Sequence, residues 1–214
     1  MPAVGADGAI IADDKPVTKL PDKRTIDGCR RCELWQRATQ GVAGEGRRDA
    51  TLMLVGEQPG DQEDLQGKPF VGPAGQLLRT LLADAGIADG AFYLTNAVKH
   101  FSWEPRGKRR IHKTPAQRDI VACRNWLEDE IAAIRPKVIV ALGATALRAL
   151  VGKPMTLAAA QGAVLSHAGG SAIVATFHPS ALLRERDEAR RDAMRQSVVK
   201  ALMHAAAAAR PPTE

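Results

Sequence analysis

No run of this sequence reaches the roughly 18 apolar residues that a membrane-crossing helix needs, and Asp7, Asp13 and Asp14 stand where a secretory leader would be basic. Membrane and secreted classes are therefore set aside, and a cytoplasmic location with no membrane partner is expected. Cysteine is scarce. Three cysteines in 214 residues argue against a disulfide framework and leave metal or cluster ligation as the use for Cys29, Cys32 and Cys123. Internal repeats are absent, and neither GxGxxG nor GxxxxGKS/T occurs; Gly143-Ala144-Thr145-Ala146 is too weak a match for a phosphate loop, so ATP and NAD enzymes are discounted. No shift in composition divides the chain, whose length suits one substantial core. The expectation is one domain over residues 25–204, a flexible leader over 1–24, a flexible tail over 205–214 in which the alanine run frays, and a monomer.

What the sequence does hold is concentrated charge. Thirty basic against twenty-four acidic side chains leave a net +6, and the excess gathers in residues 106–113, where five basic residues surround His112, and in the tail from Arg184. A local excess of this kind suits a polyanion better than a membrane surface. Cations around an imidazole favour its neutral form, whose lone pair equips it as a base or nucleophile.

Residues 51–55 form a continuous apolar run closed by Gly56, as in a strand buried on both faces, and residues 92–98 and 137–143 give two more strands. Residues 163–167 and 171–177, around Gly169-Gly170, predict a hairpin that feeds a fourth strand ending at His178. Between the strands, Pro73 opens a helix with Leu77, Leu78, Leu81 and Leu82 on one side. Thr114-Pro115 opens a longer one with Ile120, Cys123, Leu127, Ile131 and Ile134 at helical spacing, residues 144–151 form a short helix, and a last helix begins near Asp187. This alternation predicts an α/β fold, a three-layer αβα sandwich around a central four-stranded parallel sheet. Ligands of such sheets bind outside the carboxyl ends of the strands. Residues 57–61, Asn96 with the basic segment (read as a loop), Gly143 and His178 would meet there in one crevice.

Glu57 and Asp61 could stabilise a cationic, sugar-like transition state or direct a water. Asn96 offers an acceptor and two donors, the equipment for reading a base edge. His178 could donate to a leaving group that gains negative charge, and Phe70, beside a polar loop, could stack on a base. Each also has a purely structural use, as a solvated carboxylate, a capping amide, a turn residue or a core aromatic.

Gly56-Glu57-Gln58-Pro59-Gly60-Asp61, with the segment from Glu63 through Phe70 to Gly75, resembles the first motif of the iron–sulfur uracil-DNA glycosylases. His178-Pro179-Ser180 is similar to their second motif. Lys108-Arg109-Arg110-Ile111-His112 resembles the insertion of the UdgX-type branch, which excises uracil and stays covalently bound to the DNA. The resemblance runs from about Cys29 to the final helix. It implies a uracil pocket of Gln58, Phe70, Asn96 and His178, with Phe70 stacking, Asn96 reading the base and His178 stabilising the departing uracil. It further implies that Glu57 supports the basic-segment histidine, that Asp61 lies near the reacting sugar carbon, and that His112 becomes joined to that carbon. Lys108, Arg109, Arg110 and Lys113, together with Ser180, Leu182 and Arg184 of a DNA-inserting loop, would hold uracil-containing DNA, single- or double-stranded; Leu183 is the other wedge candidate. Cys29, Cys32 and Cys123 match three ligands of a [4Fe–4S] cluster, and His100 stands where relatives have the fourth cysteine; histidine replaces cysteine on iron in some centres. A Cys3His zinc site is the alternative for that set. For the whole chain, the alternatives are a turnover glycosylase in which His112 only contacts phosphate, and a noncatalytic iron–sulfur or zinc DNA-binding module.

Overall fold

The computed structural model describes residues 19–161, 163 and 165–210. In chain order the elements are α1 (Lys23–Asp27), β1 (Glu45–Gly46), β2 (Leu52–Gly56), α2 (Asp61–Gln66), α3 (Pro73–Asp84), β3 (Tyr93–Asn96), β4 (Trp103–Arg106), β5 (Arg109–His112), α4 (Gln117–Ile134), β6 (Val138–Leu142), α5 (Ala144–Val151), α6 (Leu157–Ala160), β7 (Leu165–Ser166), β8 (Ala172–Thr176), α7 (Pro179–Arg184) and α8 (Glu188–Ala209). A single-turn 3-10 helix, Glu33–Gln36, follows the Cys29-x-x-Cys32 segment.

The main sheet runs β1-β3-β2-β6-β8-β7. Its four inner strands are parallel, as expected, and each edge carries a two-residue antiparallel strand, so the sheet is mixed and six-stranded. Strands β2 and β6 are buried at every position because both faces are covered. Alternate side chains go to opposite faces. Met53, Val55, Ile139 and Ala141 meet Ile120, Leu127 and Ile131 of α4 and Leu147 of α5, whereas Leu52, Leu54, Val138 and Val140 meet Leu78 and Leu81 of α3 and Val198 and Leu202 of α8. These are the three layers.

Several boundaries differ from the sequence reading for identifiable reasons. The long helix begins at Gln117, after Thr114-Pro115, because Asp119 accepts the Ala116 N–H and caps it there. Pro136 still ends it, with Arg135 left-handed at the cap. The polar loop after β2 contains α2, whose first turn holds Asp61, Glu63 and Asp64, acids that favour a helix N-terminus. The alanine run is the end of α8. Ala205 and Ala209 are buried, extending the stripe of Val198 and Leu202 along one side of the helix, so the run is helical through Ala209 with one side packed. Most of the leader, residues 1–18, and positions 211–214 of the tail lie outside the described residues. Among the described residues, no helix is long and apolar enough to cross a membrane.

Candidate active site

The carboxyl ends of β2, β3, β6 and β8 open onto a cavity of about 610 Å3. Glu57, Gln58, Asp61, Phe70, Asn96, His112 and His178 all line it, with Ser180 and Arg184. The converging set read from the sequence is therefore brought together.

Glu57 follows directly on β2 and is held by a hydrogen bond at Oε2, with His112 at ion-pair distance from Oε1. The Thr145 hydroxyl, in the first turn of α5, donates to Oε2 at 2.6 Å, and His112 Nε2 stands 3.3 Å from Oε1. Burial acts to raise the Glu57 carboxyl, but the contact with His112, the hydrogen bond from Thr145 and the charge of His112 outweigh it and hold the group below the usual carboxylate range. Thr145 was not anticipated; it lies 88 positions away in sequence.

His178 caps α7, and the Ser180 backbone N–H donates to its Nδ1 at 3.1 Å. A backbone amide can only donate, so Nδ1 is the acceptor and the ring proton of neutral His178 sits on Nε2. Burial pushes this imidazole down to about 4, with the Glu57 charge opposing. His178 is thus a neutral N–H donor at pH 7. The sign of the linkage follows: between about 4 and the ordinary 6.5, the unfolded chain binds a proton here that the folded one does not, so stability contributed by this group falls as pH drops through that window. Thermal melts from pH 7 to pH 4.5 should show this fall, and His178→Gln should flatten it.

Phe70 lies beside His178, ring centroids 5.9 Å apart and tilted by 31°. Its backbone is left-handed at φ 54°, costly for an aromatic residue. Two neighbours hold it there. Arg79 Nη1 donates to the Phe70 carbonyl at 3.0 Å, and Gly75 lets helix α3 press against the Phe70 backbone, where an added Cβ would fall 1.8 Å from that carbonyl oxygen. Gly75→Ala should therefore cost at least about 3 kcal/mol of stability by overpacking, read as a lower urea midpoint at unchanged slope.

Asn96 ends β3, buried, with no hydrogen-bond partner for Oδ1 among the described residues. A buried acceptor left unpaired is costly, and this one is set for a donor on a ligand. Gln58 serves differently from expectation: its amide donates to the Ser102 and Lys113 carbonyls at 3.0 and 3.2 Å and accepts from Ser102 N–H at 2.9 Å. Its side chain is committed to stapling the base of the basic segment to the cavity.

That segment is a β-hairpin, not a loop. Strands β4 and β5 pair antiparallel, Trp103 opposite His112, across a turn that needs the positive φ of Gly107 at 60°. Alternation puts Arg110 and His112 on one face and Arg109 on the other. Arg110 donates to Asp61 at 2.6 Å and to buried Asp64 at 2.5 Å, and its guanidinium lies over Phe101 and Trp103. Arg110, expected on DNA, therefore anchors the hairpin to α2, and Asp61 is its counter-ion. His112 is held toward Glu57 as a result.

A model of the uracil DNA glycosylase superfamily matches residues 43–203. The chain belongs to this superfamily. It is 41% identical over 177 residues to the type-4 uracil-DNA glycosylase of Thermotoga maritima, covering 82% of this chain and 88% of that one. The type-4 uracil-DNA glycosylase of Pyrobaculum aerophilum is 34% identical over 171 residues, 75% of this chain and 82% of its own. The match to that of Sulfurisphaera tokodaii is shorter, 40% over 122 residues, spanning 56% of this chain and 52% of the relative.

Around the cavity, the remaining basic residues are peripheral. Lys108, Arg109 and Lys113 do not line it, and Lys108 and Lys113 are exposed on the hairpin. At the mouth Arg184 donates to Ser180 at 3.2 Å. Leu182, expected as a DNA-facing side chain, is buried between α7 and the core, because the helical turn points it inward; its neighbour Leu183 is 53% exposed and takes the outward position.

None of the cysteines lines the cavity. Lys99 N–H donates to Cys123 Sγ at 3.2 Å, and Trp126 Nε1 donates to Cys29 Sγ at 3.2 Å. Cys29 is near enough for its charge to reach both Cys32 and Cys123, and Cys32 near enough to reach Cys123. N–H groups aimed at sulfur fit thiolate ligands of a cluster, whose potential such bonds tune. Next to Lys99, buried His100 faces Asp27, Asp64 and Arg30. Among the described residues, no group of three or more His, Cys, Asp or Glu side chains stands close enough to hold a metal ion.

Proposed function

We propose that this member of the superfamily excises uracil from DNA and is then joined through His112 to the deoxyribose carbon that uracil leaves. The observation that carries the reading is His112 Nε2 at 3.3 Å from Glu57 Oε1, in a cavity also lined by Asn96 and His178. Uracil in a duplex would have to be flipped out to enter, whereas in a single strand it is already accessible. Phe70 stacks on the base, and Asn96 Oδ1 accepts from its N3–H.

The bond from C1′ to uracil N1 breaks, and its electron pair departs on uracil, whose O2 accepts a hydrogen bond from His178 Nε2–H. A neutral donor matched to a developing anion stabilises the transition state without protonating the base outright. C1′ becomes cationic. Glu57 takes the proton that Nε2 carries while paired with it, and the freed Nε2 lone pair bonds to C1′; the proton passes on to the uracil anion. Effective concentration favours the held imidazole over water. One event then consumes the protein.

Cys29, Cys32 and Cys123, with His100 as fourth ligand, would hold a [4Fe–4S] cluster, which would brace the segment after β3 against α4. Visible absorbance and a brown colour in the purified protein would support it; a colourless protein carrying zinc would point to the other use of the same ligands. Lys108, Arg109, Lys113 and Arg184 supply the phosphate contacts, and exposed Leu183 is the wedge.

The glycosylase reading is tested by incubating the protein with single- and double-stranded oligonucleotides carrying one uracil and measuring free uracil. Release of uracil and not of cytosine or thymine from matched strands is expected. No release would leave the noncatalytic DNA-binding alternative.

A further inference from the structure

Lys99 and Glu130 form an ion pair at 2.6 Å with both side chains fully buried. Taking two charges out of water is expensive, and apolar residues of similar volume often serve stability better. The pair is instead completely wired. Lys99 Nζ donates to Glu130 at 2.6 Å, to the Thr95 hydroxyl at 2.7 Å and to the Asn96 carbonyl at 2.8 Å, using all three ammonium protons. Glu130, from α4, also accepts from the Thr95 hydroxyl at 2.8 Å and from Gly44 N–H at 3.0 Å. None of these groups reaches the cavity, yet the bonds converge on the last two residues of β3.

Asn96 is where that matters. Its side chain faces the cavity with Oδ1 unpartnered, so its aim is set by its backbone. The peptide after Asn96 is pinned on both sides, by Ala97 N–H to the Gly56 carbonyl at 2.9 Å and by the Lys99 ammonium on the Asn96 carbonyl. We propose that Lys99, buried with Glu130, is a positioning residue that fixes the Asn96 peptide and thereby the amide that distinguishes uracil from other bases. The assignment rests on the proposed role of Asn96 as the base-reading side chain. Cytosine makes the requirement concrete: its N3 is an acceptor, and a fixed Oδ1 repels it, whereas an amide free to turn offers Nδ2 instead.

The test is a double-mutant cycle. Lys99→Met alone would leave the Glu130 charge buried and unpaired, so Lys99→Met/Glu130→Gln removes both charges. Its single-turnover rate of uracil release is measured in the native background and in Asn96→Ala. The expected result is a loss on the order of 100-fold in the native background, as displacement of a positioned group by about 1 Å produces. In Asn96→Ala the same substitutions should change the rate by less than about threefold, because the group they position is gone. Discrimination between uracil and cytosine should fall in parallel. Equal losses in both backgrounds, or no loss in the native one, would overturn the assignment. Urea unfolding verifies that the variants fold, and Lys99→Arg, which keeps the charge, enters the same cycle if the double substitution does not. Absence of uracil release from the unsubstituted protein would instead remove the function on which the assignment rests.

Discussion

His178→Ala is expected to slow uracil release by roughly 10²- to 10³-fold under single-turnover conditions, the usual loss when one preorganised donor to a developing anion is removed. The reason is specific to this histidine. With Nδ1 occupied by the Ser180 amide and burial pushing the ring down to about 4, Nε2–H is a neutral donor with no proton equilibrium near pH 7. It stabilises the uracil anion only as charge appears, so the loss belongs in the rate of the chemical step and not in DNA binding. The native rate should accordingly show no inflection near pH 6.5 from this group. A His178→Ala variant within a few-fold of the native rate would place the leaving-group donor elsewhere.

His112→Ala has an effect of another kind. The native protein should release at most one uracil per molecule, because the product stays attached, whereas His112→Ala should continue past one equivalent with water attacking C1′. On the proposed mechanism excision depends on Phe70, Asn96 and His178, which the substitution does not touch, so the first turnover should remain within about tenfold of native. Glu57 stays in place through its bond from Thr145 at 2.6 Å, available to orient that water. A variant that neither captures DNA nor releases uracil would mean that His112 serves excision and not capture alone.

How much of this could be read in the sequence depended on whether a residue's partner was near in the chain. The four parallel strands were legible because buried strands such as β2 and β6 are unbroken apolar runs, and the site followed from where those runs stop. The two-residue edge strands carry no such signal. The hairpin was read as a loop because its basic side chains mask an alternation that appears only once Gly107 supplies the turn. Arg110 looked like its neighbours, a cation for phosphate; its pairing with Asp61 and Asp64 spans more than forty positions, 49 and 46, and is set by which face of β5 it occupies. Leu182 and Leu183 were indistinguishable until the register of α7 was known. Lys99 and Glu130, 31 apart, resemble any surface lysine and glutamate in sequence. Fraying is the expectation for a terminal alanine run, yet Ala205 and Ala209, at helical spacing, are buried in the same cluster as Leu202.

The most direct measurement of the central claim is denaturing electrophoresis of the native protein and His112→Ala after incubation with a uracil-containing oligonucleotide, with mass spectrometry of any adduct. The account predicts a heat- and detergent-stable complex of native protein only, its mass that of protein plus DNA less uracil, with the modification on the peptide containing His112. Free abasic DNA from the native protein with no stable complex, or an adduct that survives His112→Ala, would contradict it.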